Sequence, residues 1–120
     1  AQPPVLCTGF AGSVASAARD LFNLADASLE AKGCLVGAPL LTAEDESTKV
    51  PGVFLVGSLV RHGELSFCFI YKFRQRFGVV ASAICRGLGR DATAAVEICR
   101  KTNMYLDDFT CCQGACGDVC

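Results

Sequence analysis

The residues best able to do chemistry are nine cysteines, Cys7, Cys34, Cys68, Cys85, Cys99, Cys111, Cys112, Cys116 and Cys120, in a chain of 120. Four of them fall in the last ten residues, CCQGACGDVC. Thiols at this density either hold a metal or pair with one another. Zinc and iron–sulfur sites characteristically draw two thiolates onto one ion from a Cys-x2-Cys pair. No such pair occurs; the tail offers Cys111-Cys112-x3-Cys116-x3-Cys120, and the single histidine, His62, can add one imidazole at most. The spacing therefore argues for disulfides and against a metal, and no cofactor is implied.

Disulfides persist where the surroundings are oxidising, so the cysteine count predicts a secreted, extracellular protein. The chain starts Ala1-Gln2-Pro3-Pro4 with neither Met nor an apolar leader, the start expected once a signal peptide has been removed. It has no Asn-x-Ser/Thr sequon, so N-glycosylation is not expected. Adjacent Cys111 and Cys112 fit poorly into one bridge, whose geometry wants Cα atoms about 5.5 Å apart, so each is expected to reach elsewhere. A Cys7–Cys34 bridge would close the first helix, and Cys68, Cys85 and Cys99 would anchor the tail. Each bridge across a loop of about fifteen residues is worth about 3 kcal/mol in the chain-entropy model. An odd cysteine is left over. It predicts either an intermolecular disulfide, and hence a homodimer, or a buried inert thiol.

Two further groups could bind something. In YKFRQRF, residues 71–77, Lys72, Arg74 and Arg76 alternate with Tyr71, Phe73 and Phe77, an arrangement able to hold phosphate, sulfated glycan or anionic lipid headgroups. Residues 51–101 carry eight basic and three acidic side chains, between segments with three and six and with none and three. The plainer reading turns the aromatics inward and leaves the cations as a solvated hairpin tip. Phe67, Phe69 and Phe73 form a second group, able to line a pocket for an acyl chain or simply to build the core.

Catalysis has little support. His62 sits in an expected turn, Gly87-Leu88-Gly89-Arg90 lacks the rest of a phosphate loop, and neighbouring Asp107 and Asp108 point apart in regular structure. The acidic run Glu44-Asp45-Glu46 reads as solvated surface.

The elements that must position these groups follow from periodicity. Residues 13–32 place Val14, Ala17, Ala18, Leu21, Leu24, Ala25 and Leu29 at helical spacing, with Ser13 as cap and Lys32-Gly33 at the end. An exposed loop is expected at 42–52. Alternation predicts strands at 53–60, 65–73 and 77–85, joined by turns near Arg61-His62-Gly63-Glu64 and Arg74-Gln75-Arg76 into an antiparallel meander. Residues 91–102 read as a second helix capped by Asp91, with a fourth strand as the alternative.

The composition, 52% hydrophobic and 19% charged with mean hydropathy +0.40, fits one globular domain over 1–120 with apolar surface to spare. No apolar run approaches the roughly 20 residues of a membrane span, so the chain is not expected to be transmembrane. The expected fold is α+β: a small antiparallel sheet of about three to four strands, one or two packed helices, and a disulfide-tethered C-terminal tail. The expected role is that of a non-catalytic extracellular interaction protein, whether effector, toxin-like factor or structural component, dimeric and acting on a protein or cell-surface partner. Carriage of a small hydrophobic ligand or lipid is the alternative, and nucleic-acid binding is not expected.

Overall fold

The computed structural model describes residues 13–26, 37–63, 65–67 and 69–109. They form an α+β arrangement of three helices and one two-stranded antiparallel ribbon. Helix α1 spans Ser13–Ala17, strands β1 and β2 span Arg61–His62 and Leu65–Ser66, helix α2 spans Ile70–Gly87 and helix α3 spans Thr93–Lys101. No described helix is long and apolar enough to cross a membrane.

Helix α2 organises the rest. Its buried residues, Arg76, Val79, Val80 and Ala83, recur at i, i+3, i+4 and i+7, which places them on one inward face; Val60 and Phe67 are buried as well, with Phe67 beside Arg76. The helix stops at a Schellman motif. Gly89 adopts φ 68°, its N–H donates to the Arg86 carbonyl, and the Arg90 N–H donates to the Cys85 carbonyl. A side chain would resist that left-handed conformation, so the Gly87-Leu88-Gly89-Arg90 segment is a turn for a steric reason.

Helix α3 folds back along α2. Asp91 Oδ1 accepts from both the Thr93 N–H and the Thr93 hydroxyl, satisfying an otherwise unpaired donor at the helix start. The Thr93 hydroxyl, and then its N–H, hold the Asp91 carboxyl below its ordinary range. The far end repeats the earlier stop with Asn103 at φ 57°, Asn103 N–H donating to Arg100 and Met104 N–H to Cys99. The chain then returns across α2 at Gly78, where a Cβ would stand 3.0 Å from the Met104 carbonyl oxygen and 3.1 Å from the Tyr105 ring. Glycine permits this contact. Gln75 seals it by donating to the Asn103 carbonyl and side-chain oxygens.

A hairpin is present close to the expected place, but Arg61 and His62, expected in its turn, form β1 opposite Ser66 and Leu65, and Gly63 follows at φ 56°. The strand expected over 53–60 is reduced to an isolated bridge at Phe54, because among the described residues the chain there bridges only to Glu46. The α3 helix expected over 91–102 is present too, and the strand alternative there falls away. Three other expectations are corrected. The strand over 65–73 ends at Ser66, and the third strand over 77–85 lies within α2, so the described residues contain two strands and no meander. The supposed turn at Arg74-Gln75-Arg76 is mid-helix. Alternation and a 3.6-residue period both fit this segment, and burying Arg76, Val79, Val80 and Ala83 together favours the helix.

The first helix is shorter than its periodicity predicts. It ends at Ala17, and the following residues become extended so that Asn23 and Ala25 exchange backbone hydrogen bonds with Leu40 and Ala38 around a Leu24–Pro39 bridge. Phe22, not Leu21, enters the core. Tertiary pairing has overridden local helix preference. The 42–52 loop is also not plain solvated surface: Asp45 and Ser47 are buried, and Leu41–Ser47 and Glu46–Phe54 bridges fold it on itself. The rest of the 13–32 expectation, the Cys7–Cys34 bridge and the tail lie outside the described residues.

Candidate interaction surface

A buried ion pair fixes how α2 faces the rest of the molecule. The Arg76 and Asp45 side chains are wholly buried; Arg76 Nε donates to Asp45 Oδ2 at 2.9 Å, and an Nη of Arg76 donates to Oδ1 at 2.9 Å. The guanidinium also donates to the Leu106 and Ala43 carbonyls, so one side chain ties α2 to the acidic loop and to the segment after α3. His62 Nε2 lies 2.5 Å from Asp45 Oδ1, adding the hairpin to the same junction. Aromatic rings close it off. Phe109 stacks on His62 at 4.8 Å, Phe67 meets Phe109 at 5.6 Å, and Arg76 stands 4.9 Å from the Phe109 centroid. Every charge here has a partner in hydrogen-bonding geometry, which a buried ion requires.

With Arg76 turned inward, a different face of α2 is left outside. Ile70, Phe77, Ile84 and Leu88 are 69, 44, 42 and 70% exposed, and Arg74 and Ala81 between them are exposed as well. Their spacing runs four, three, four, three, four along the helix. Such a row stays on one side of a helix over its whole length. Phe69 and Tyr71, 60 and 56% exposed, stack on each other at its start and enlarge the apolar area.

At the other end of α2, a groove of about 580 Å³ runs between the helix and the acidic loop, lined by Phe54, Ala83, Ile84 and Leu88 with Glu44 and Glu46 among its polar residues. Arg86 pairs with Glu44 across it, and that hydrogen bond, with the carboxylate's charge, pushes the Arg86 guanidinium above its ordinary value. A second cleft, of about 280 Å³, lies between α2 and α3 and includes Arg86, Arg90, Arg100 and Tyr105. Arg100 is engaged there by Glu97 and Asp107, so much of its positive charge is answered locally.

The cations and aromatic residues singled out from sequence are not grouped as their alternation implied. Lys72, Arg74 and Arg76 all lie on α2, where Arg76 is buried, Lys72 half-buried and Arg74 exposed among the apolar stripe. Helical spacing separates what a hairpin tip would have grouped. Phe67 is in the core against His62 and Phe109, Phe69 stacks on Tyr71 at the surface, and half-buried Phe73 meets Phe77 at 5.9 Å. Cys85 on α2 and Cys99 on α3, expected from sequence to anchor the tail, are instead half-buried free thiols, and the other seven cysteines lie outside the described residues. Alternation masks the apolar stripe by favouring strand over this segment, although the seven-residue recurrence of Ile70, Phe77 and Ile84 is plain in the sequence. No protein-family model matches the chain.

Proposed function

We propose that this is a secreted, disulfide-stabilised interaction protein without catalytic activity, working through the exposed apolar face of α2. One observation carries the reading: large apolar side chains stand exposed along the full 18-residue helix, on an element whose opposite face is locked by a buried ion pair. Contiguous apolar surface presented on a rigid support is what association uses, since burying it is favourable and ordering it costs little further entropy. The nine cysteines support an extracellular setting and bridges that fasten the C-terminal tail, with an intermolecular bridge among the options for the odd thiol. The partner is a protein or a cell-surface component.

Carriage of a small apolar ligand is the second reading, favoured by the groove beside Phe54, Ile84 and Leu88. Native mass spectrometry without reductant separates the two. The interaction reading expects the 12.6 kDa chain, single or assembled, to be free of small-molecule adducts. A single chain that retains a lipid-sized adduct would contradict it and establish the carrier.

A further inference from the structure

We infer that the partner of the α2 face is a second copy of this chain, packed antiparallel about a twofold axis between Phe77 and Ala81. The inference rests on the interaction reading above and adds the identity of the partner. The stripe is self-complementary when reversed. Setting Phe77 against Ala81 of the second copy places Arg74 beside Ile84 and Ile70 beside Leu88, so the two contacts nearest the axis each match a large ring with a methyl group. A twofold interface requires that kind of match, because each contact occurs twice. The four-three spacing of the stripe is also the repeat that lets two helices keep one seam in contact along their length.

Charge selects the antiparallel direction. Arg74 is the charged residue of the stripe, and a parallel twofold pair would set it against its own copy, with no acidic residue on α2 to answer it. In the antiparallel pair, exposed Arg74 comes to Ile84 of the other copy, where Glu44 and Glu46 line the adjoining groove. No ion pair engages Arg74 among the described residues. Glu44 binds Arg86 through Oε1 and Glu46 accepts the Gly52 N–H through Oε1, so the second oxygen of each carboxylate can accept from Arg74. The Arg74 stem would cover Ile84 while its head reaches the carboxylates. Arg74 would also approach the C-terminal, electronegative end of the opposing helix.

Sedimentation equilibrium from micromolar to submillimolar chain, at physiological salt and without reductant, tests this. Wild type is expected at twice the 12.6 kDa chain mass. Phe77→Glu and Ile84→Glu are each expected at single-chain mass with far-UV circular dichroism retained, while Leu40→Glu, an exposed apolar position off the helix, should remain dimeric. Arg74→Glu is expected to weaken the dimer by about ten-fold, as two surface ion pairs lost by symmetry would. That variant decides the matter should the apolar replacements impair folding. A wild-type chain that stays monomeric overturns the inference, even if it binds vesicles or an unrelated protein. So does a dimer that survives Phe77→Glu, Ile84→Glu and Arg74→Glu, although such a dimer would leave the interaction reading standing. A lipid-laden monomer would remove both.

Discussion

Replacing Arg76 by Met is expected to destabilise the protein by about 3–5 kcal/mol, the range for removing one partner of a buried ion pair. Arg76 and Asp45 are both fully buried, so deleting the guanidinium leaves His62 as the one side chain among the described residues within hydrogen-bonding distance of the Asp45 carboxylate. It also strips the Ala43 and Leu106 carbonyls of a donor. Against a typical domain stability of about 5–15 kcal/mol, the loss is severe. Combining Arg76→Met with Asp45→Leu should recover part of it, because the stranded charge goes too. Urea unfolding followed by circular dichroism reads both. An Arg76→Met midpoint within about 0.5 kcal/mol of wild type, the range of ordinary surface substitutions, would contradict the role given to this pair.

Phe67→Ala is expected to cost about 3–5 kcal/mol, as truncation of a buried aromatic does. The ring is 1% exposed and meets His62, Phe109 and Arg76, so a cavity there would loosen the hairpin, the segment after α3 and the ion pair together. Phe69→Ala supplies the contrast. That ring is 60% exposed, and its loss should change stability by no more than about 0.5 kcal/mol. Equal small effects at the two positions would show that Phe67 does not anchor the core.

These two expectations mark where the sequence was legible and where it was not. Helix α3 could be read because Asp91 announces its start and the apolar residues that follow keep a helical period. The hairpin at 61–64 could be read because Gly63 supplies a turn between β-prone segments. Helix α2 was obscured by a coincidence of patterns: YKFRQRFGVV alternates well enough to pass for strand, and only its continuation to Leu88 at four-three spacing favours helix. The buried pair was less visible still. Nothing local distinguishes Asp45 from its neighbours Glu44 and Glu46, or Arg76 from Arg74. Asp45 is buried because Arg76, 31 residues away in sequence, meets it, and a long-range contact leaves no mark on either local pattern. Reading charged residues as surface is sound on average. It fails where two opposite charges desolvate together.

The α2 face has the same origin. Once Arg76 is drawn inward, Val79, Val80 and Ala83 follow it by helical geometry, and Ile70, Phe77, Ile84 and Leu88 are turned out. The exposed stripe is thus set by the ion pair on the other side of the helix.

The proposal that the chain is extracellular and cross-linked is tested most directly by counting its free thiols. Unfolding in guanidinium with excess alkylating agent and no reductant labels every unbridged cysteine, whatever its burial, and intact mass gives the number. Cys85 and Cys99 are free in the structure, and at least one of the remaining seven cysteines cannot be paired within the chain. Labelling of two or three of the nine is therefore expected, two if the last thiol is bridged to another chain and three if it is not. Labelling of five or more would show that most of the sulfurs are unbridged, contradicting the cross-linked tail and the secretion argued from it.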